Sequence, residues 1–260
     1  MMQDQRIAEA ELLLDAYRTL RPIPPLVVRH PEMTLEDAYA VQSLQTERRI
    51  AEGAAIRGHK VGLTSHAMQR QIGVTTPDYG VLMADMFYLE SQPIPTDRFL
   101  QVRVEPEIAF VLDRPLRGPG LTIADAVRAI GFVLPSLEII DSRIADWTIG
   151  YFDTVADNAS SGGIVLGSSV RGLDQLDLRG MGCVLRKNGR VVGTGAGGAV
   201  LGSPLNALVW LANTLGERGV TLEEGAVVLP GSITQSVPVE SGDTISCAFA
   251  GLGALTARFA

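Results

Sequence analysis

The rhythm of apolar and polar positions changes near residue 58, from a helical period to short β-rich runs, and this divides the chain into two stretches. In the first, Ala8 to Leu20 reads as an amphipathic helix, and the linker Arg21-Pro22-Ile23-Pro24-Pro25 is held extended by its prolines. Thr34 then offers a helix N-cap with Asp37 three residues on, a weak form of the capping box. Leu35, Ala38, Val41 and Leu44 follow at helical spacing, and Gly53 supplies a stop.

After Gly58, the segments Val102 to Leu112, Phe132 to Ile140, Val184 to Val192, Ala226 to Leu229, Thr244 to Phe249 and Ala254 to Phe259 carry the texture of strands. Asn188-Gly189, between Val184-Leu185 and Val191-Val192, predicts a hairpin closed by a type I′ turn, whose two central residues both need positive φ. Two helices interrupt the strands: Ile123 to Ile130, opened by Thr122, and Leu205 to Leu215, opened by Ser203-Pro204 and closed by Gly216. Strands and helices do not alternate regularly, which disfavours a doubly wound parallel sheet. The expected fold class is α+β: a mixed, largely antiparallel roll or barrel over residues 58–260, with an N-terminal helical layer over residues 1–57.

Composition narrows the function classes. At 260 residues the chain can bury a sizeable core, and 46% hydrophobic content with a mean hydropathy of +0.20 points to a large core or broad subunit interfaces. The polar start Met1-Met2-Gln3-Asp4-Gln5-Arg6, and the lack of an apolar run near the roughly 18 residues of a spanning helix, give no sign of secretion or membrane insertion. The expected location is the cytoplasm. A net charge of -7, with Lys and Arg scattered singly, argues against a nucleic-acid partner. Cys183 and Cys247 sit in separate apolar segments without CxxC spacing and read as two buried thiols in a reducing compartment.

The segment Val102-Arg103-Val104-Glu105-Pro106-Glu107-Ile108-Ala109-Phe110 carries the most chemistry, because alternation along a strand puts Glu105 and Glu107 on one face. If that face is buried, two carboxylates cannot both stay ionised without a cation, and a hard divalent metal is the natural partner. Glu138 lies in a similarly apolar strand, and three Glu oxygens leave open positions around Mg²⁺ or Mn²⁺ for water and substrate. The three histidines, His30, His59 and His66, lack ligand spacing, so zinc is not expected. On pattern alone, three glutamates facing solvent at strand edges remain an open reading.

Lys60, in the Gly-flanked run Ile56 to Ser65, is a candidate general acid or oxyanion partner, although a surface lysine on an edge strand is the commoner reading of such a position. Pro77-Asp78-Tyr79-Gly80 reads first as a turn, and Asp153 to Gly163 as a polar, small-residue loop that lines a ligand site or merely connects strands. Gly193-Thr194-Gly195-Ala196-Gly197-Gly198 satisfies GxGxxG. A further turn at Gly202-Ser203-Pro204 delays the helix, however, and no acidic residue ends a second strand about 20 residues on, so no nucleotide site is expected. Asn158-Ala159-Ser160 spells a glycosylation sequon in a chain that nothing routes to the secretory pathway.

Taken together, Gly58-His59-Lys60-Val61-Gly62-Leu63-Thr64-Ser65, Pro77-Asp78-Tyr79-Gly80, Glu105-Pro106-Glu107, Glu138-Ile139-Ile140-Asp141-Ser142-Arg143 and Asp153-Thr154-Val155-Ala156-Asp157-Asn158-Ala159-Ser160 resemble the 2-keto-4-pentenoate hydratase and 4-oxalocrotonate decarboxylase family. The resemblance runs nearly end to end and includes Gly193-Thr194-Gly195-Ala196-Gly197 and Leu201-Gly202-Ser203-Pro204, which that family carries without any nucleotide. It implies the mixed β-roll of the fumarylacetoacetase-like superfamily. It also implies Glu105, Glu107 and Glu138 as ligands of Mg²⁺ or Mn²⁺, and Lys60 as a catalytic residue. Homo-oligomers, and association with another enzyme of a meta-cleavage aromatic pathway, are further implications.

Within the family, decarboxylases tend to carry an aliphatic residue where Asp78 stands, whereas hydratases keep the acid. Hydratases of seven-carbon dicarboxylates tend to carry a longer basic insertion before the Asp-Thr loop, and between Arg143 and Thr154 this chain has no Lys or Arg. The resemblance therefore points to hydration of the monocarboxylate 2-hydroxypenta-2,4-dienoate, with Lys60 and Asp78 as unassigned partners in proton transfer. Ser160 and Ser232, in small-residue loops, are candidates for holding the substrate carboxylate. The alternatives are a 4-oxalocrotonate decarboxylase, a hydratase of a longer or dicarboxylic 2-oxo-enoate, a C–C hydrolase and a catalytically silent binding subunit. The hydrolase would add a water-activating His-Glu pair, for which His59 is oddly placed.

Overall fold

Three helices form the N-terminal layer: α1 (Gln3–Thr19), the short α2 (Leu26–Arg29) and α3 (Leu35–Ala51), with α1 packed on α3. The capping box at α3 is present, the Asp37 N–H donating to Thr34 Oγ1 at 3.2 Å and the Thr34 N–H to the Asp37 carboxylate at 2.9 Å. α1 starts ahead of the expected Ala8 because the Met2 N–H donates to the Gln5 side chain at 2.7 Å, capping a polar first turn. α2 was not expected. It forms because Asp153 Oδ1, from far along the chain, accepts the N–H groups of Leu26 at 2.7 Å and Val27 at 3.2 Å. The computed structural model describes the backbone of residues 1–260 and all side chains except those at positions 68 and 71.

Twelve strands and four helices follow: β1 (Ile56–Gly62), α4 (His66–Ile72), β2 (Asp78–Met83), β3 (Phe87–Leu89), β4 (Arg103–Leu112), α5 (Ile123–Ala129), β5 (Ile130–Ile140), α6 (Tyr151–Ala156), β6 (Ser161–Leu166), β7 (Gly182–Lys187), β8 (Arg190–Ala196), α7 (Pro204–Glu217), β9 (Val227–Leu229), β10 (Val237–Pro238), β11 (Thr244–Phe249) and β12 (Gly253–Arg258). Eight strands make the main sheet, in the order β2-β1-β9-β4-β5-β6-β3, with β10 pairing the start of β4. Only β1–β9 and β3–β6 are parallel. The sheet curls until β2 nears β6, and Asn158 seals the gap by bonding the Val81 N–H at 2.7 Å and the Val81 C=O at 2.9 Å, as a neighbouring strand would. The second sheet, β12-β11-β7-β8, is antiparallel, and its β7–β8 turn has the positive φ at Asn188 (52°) and Gly189 (80°) that Asn-Gly predicts. This is the mixed, largely antiparallel roll with helices that the sequence pattern implies.

Alternation sorts the core into two faces. Val104, Ile108 and Phe110 of β4, with Val133, Leu137 and Ile139 of β5, face outward into the main core under the helices and the second sheet. Ala109, Leu134, Ile164 and Leu229 face inward and form a smaller apolar cluster. By the same period, the inward face of β4 and β5 also carries Glu105, Glu107 and Glu138.

Three expectations are corrected. Pro77-Asp78-Tyr79-Gly80 is not a turn: Asp78 opens β2, in register with Gly62 of β1, and all six β2 residues are buried, so pairing and burial override turn chemistry. The stretch from Asp153 to Gly163 is not a loop but α6, a 3₁₀ turn over Asn158–Ser160 and β6. Here Asp153 Oδ2 accepts the Gly150 N–H at 2.9 Å and caps the helix. α7 runs through Gly216, where glycine serves packing instead, since a Cβ there would lie 2.2 Å from Gly118.

Candidate active site

Glu105 and Glu138 are direct cross-strand partners in the β4–β5 ladder, and Glu107 stands opposite Ser136. One oxygen from each of the three glutamates lies within 4.8 Å of the other two. Glu107 and Glu138 are each 1% exposed, while Glu105 is half-buried and marks the mouth of the site. Glu107 Oε2 accepts the Gly231 N–H at 2.8 Å, but Glu107 Oε1 and Glu138 Oε2 have no hydrogen-bond donor among the described residues, and Glu138 Oε1 has only the Lys60 ammonium, 3.3 Å away. Burial, then repulsion from Glu138, pushes Glu105 up to about 7 and Glu107 well above the usual carboxylate range. Glu138 is also raised by burial, with Lys60 opposing. Buried, mutually repelling oxygens without donors are the ligand set a hard divalent cation takes, so the residues fit such an ion.

Lys60, on β1, is 4% exposed; its Nζ donates to the Ala159 C=O at 2.9 Å and lies 3.3 Å from Glu138 Oε1. Burial disfavours its charge, but Glu138, Asp78, Glu105 and Glu107 together outweigh that and hold it as an ammonium. Asp78 is 1% exposed, and its Oδ1 has no hydrogen-bond partner among the described residues. Burial raises its pKa while Lys60 opposes the rise. Gly62 makes this approach possible, because a Cβ there would sit 2.1 Å from Asp78 Oδ1 and 3.4 Å from Lys60 Nζ. The pair is thus a fixed ammonium beside a carboxyl that takes up protons more readily than usual.

The carbonyl that receives Lys60 comes from a strained turn. Asn158, Ala159 and Ser160 all have left-handed φ (53°, 50° and 54°), which costs non-glycine residues roughly 1–2 kcal/mol each. A buried pair beneath it holds the turn: Arg143 Nε donates to Asp157 Oδ1 at 2.5 Å, and its Nη atoms donate to Asp157 O at 2.7 Å and Ser161 O at 3.0 Å. The Tyr17 ring covers the guanidinium at 4.0 Å. Sequence reasoning missed the anchoring role of Arg143 and Asp157. A charged residue closing the apolar run that contains Glu138 was the available signal.

Lys60, Asp78, Glu105, Glu107 and Glu138 converge on one site. Ser160 and Ser232 lie beside it with their hydroxyls engaged elsewhere: Ser160 Oγ is 3.3 Å from Thr154 Oγ1, and Ser232 Oγ donates to Thr234 O at 2.6 Å. Each follows a backbone group that touches the cluster, the Ala159 carbonyl and the Gly231 N–H respectively. The Gly193-to-Gly198 run lets residues 231–234 lie against β8, since a Cβ on Gly195 would sit 2.1 Å from Ile233 O. His59 alternates onto the face of β1 opposite Lys60, where burial lowers its pKa to about 4, so it is not placed to activate water at the cluster.

Residues 49–260 match the family model described as fumarylacetoacetate (FAA) hydrolase C-terminal. The chain is 47% identical over 251 residues to TodF product hydratase of Pseudomonas putida, covering 96% of this chain and 94% of that protein. It is 44% identical over 259 residues to 2-keto-4-pentenoate hydratase of Paraburkholderia xenovorans, covering 100% and 96%. The solved structure of 4-oxalocrotonate decarboxylase from Pseudomonas putida G7, complexed with magnesium and adipate, superposes with a TM-score of 0.97 at 40% identity, covering 100% of this chain and 99% of that one.

Proposed function

The chain belongs to the fumarylacetoacetate hydrolase C-terminal family, and on that premise we propose that it is a divalent-cation-dependent hydratase converting 2-hydroxypenta-2,4-dienoate to 4-hydroxy-2-oxopentanoate. The observation that carries this reading is the joining of three carboxylates, two of them buried with an oxygen that lacks a donor, to the Lys60–Asp78 pair. Glu105, Glu107 and Glu138 would hold Mg²⁺ or Mn²⁺, and the ion, when bound, supplies a Lewis acid for the substrate's carboxylate and 2-oxygen.

The protein's own groups divide the remaining work. Lys60, kept charged and aimed by the Ala159 carbonyl, stabilises the negative charge that develops on the C2 oxygen as the dienol gives up its proton. Asp78 moves protons: as the carboxylate it takes the dienol's hydroxyl proton and delivers it to C5, giving the 2-oxo-3-enoate. The carboxylate so restored then takes one from the water whose oxygen adds at C4 and passes that proton to C3. Burial of Glu107, Glu138, Asp78 and Lys60 keeps bulk water away from these charges. Ser160 and Ser232 would turn their hydroxyls to the substrate carboxylate.

The competing reading is decarboxylation of 4-oxalocrotonate, favoured by the close superposition on a decarboxylase. Asp78 argues for hydration. Offering each substrate to the Mg²⁺-loaded protein decides between them: hydration gives 4-hydroxy-2-oxopentanoate by NMR from the five-carbon dienol and no CO₂ from 4-oxalocrotonate, and the reverse pattern sinks the proposal. The same reading expects a cytoplasmic homo-oligomer in meta-cleavage aromatic catabolism, able to associate with a neighbouring enzyme; light scattering on the pure protein tests the assembly.

A further inference from the structure

The inward face of β4 carries a third charged side chain. Arg103 precedes Glu105 by two residues and Glu107 by four, so all three project from the same side of the strand. Its guanidinium is fixed in place. Nε donates to Ser236 Oγ at 2.9 Å, one Nη donates to Ser236 O at 3.3 Å, and the Trp147 ring lies under it at 5.8 Å. Trp147 is itself held, by its indole N–H donating to Gln101 O at 3.0 Å. Among the described residues both hydrogen bonds of Arg103 go to Ser236, so the other Nη keeps its donors free.

Arg103 is also partly exposed, as Glu105 is, two residues before it on the same face of β4. It therefore stands at the mouth, where Glu105 is half-buried, while the deeper carboxylates are closed off. A guanidinium held at two donors and one face, with a free fork beside a cation site, is arranged to receive a planar anion. Nothing in the mechanism above uses it. The lack of Lys and Arg between Arg143 and Thr154 spoke against a further carboxylate contact, but Arg103 enters from another strand.

We propose that Arg103 binds a carboxylate of the substrate. The inference rests on the reading of this site as one for 2-oxo-enoates. The carboxylate has two possible sources: the C1 carboxylate, on its side turned away from the cation, or the terminal carboxylate of a longer diacid.

Saturated analogues that cannot be hydrated separate these sources without relying on turnover. 2-Oxopentanoate and 2-oxoheptanedioate are titrated calorimetrically into Mg²⁺-loaded wild type, Arg103→Met and Arg103→Lys, with Mn²⁺ affinity and thermal midpoint measured alongside. Removing a charged hydrogen-bonding partner is expected to weaken binding about 10- to 100-fold, with Lys recovering only part of it. Weakening of both analogues assigns the C1 carboxylate; weakening of 2-oxoheptanedioate alone assigns a terminal one. Unchanged affinities overturn the proposal, as does a wild type that binds neither analogue. A fall in Mn²⁺ affinity that accounts for the whole loss also overturns it, because Arg103 would then support Glu105 only. Turnover of 2-hydroxypenta-2,4-dienoate by the wild type tests the hydratase reading separately.

Discussion

Glu105 and Glu138 stand directly opposite each other across the β4–β5 ladder, a position in which two carboxylates repel. Lys60 Nζ, 3.3 Å from Glu138 Oε1, offsets part of that repulsion, and Glu107 adds to it from the same face. One ammonium among three glutamates and Asp78 leaves the cluster in need of further positive charge.

That imbalance predicts a pH dependence that a metal removes. Folded-state pKa values raised above the unfolded 4.5 contribute stability that is fully present below about pH 4.5 and lost as pH rises through the folded value, about 7 for Glu105. The thermal midpoint of metal-free protein is expected to fall on the order of 5 °C between about pH 5 and 8. Mg²⁺ should flatten this slope. Asp157, raised to about 6 chiefly by burial, contributes the same sign with or without metal, so the difference between the two curves isolates the glutamates. Parallel curves with and without Mg²⁺ contradict the prediction.

Asp78→Asn keeps the side chain's shape and removes its proton exchange. We expect kcat for hydration to fall roughly 10²- to 10⁴-fold with Mn²⁺ affinity unchanged. Lys60→Met should lose a similar factor. Full hydration by Asp78→Asn in steady-state assays removes Asp78 from the mechanism.

Gly195→Ala places a methyl group 2.1 Å from the carbonyl of Ile233, whose N–H donates to Pro106 O between Glu105 and Glu107 at 3.1 Å. Either β8 or the 231–234 segment must shift, and displacement of that segment is expected to draw the Gly231 N–H away from Glu107. Mn²⁺ affinity measured by EPR should fall about 10-fold, the scale of losing a ligand's outer hydrogen bond. Unchanged affinity separates the glycine run from the metal site.

Asp157→Asn breaks a pair in which Arg143 and Asp157 are both wholly buried, and an uncompensated buried charge costs about 3–5 kcal/mol. Denaturant titration should show that loss. Activity should fall as well, since the strained Asn158–Ser160 turn that aims the Ala159 carbonyl at Lys60 rests on this pair.

How much of this was legible in the sequence depended on whether the signal was local. β4, β5 and the β7–β8 hairpin were readable because apolar runs and Asn-Gly state their structure within a few residues. β2 was not, because Pro77-Asp78-Tyr79-Gly80 has turn chemistry and becomes a strand only by pairing with β1. The i, i+2 spacing of Glu105 and Glu107 was visible, but the register that sets Glu138 opposite Glu105 is a long-range fact. The Ala159 carbonyl and the Gly231 N–H are backbone groups, and residue identity does not announce them.

The proposed hydration requires Glu105, Glu107 and Glu138 to hold a divalent ion. The most direct measurement follows the loss of ultraviolet absorbance of fresh 2-hydroxypenta-2,4-dienoate, with product identified by NMR, for metal-stripped wild type, the same protein with Mg²⁺ restored, and Glu107→Gln with Mg²⁺. Activity is expected only in the restored wild type. Full activity in the stripped protein, or in Glu107→Gln with unaltered metal affinity, would contradict it.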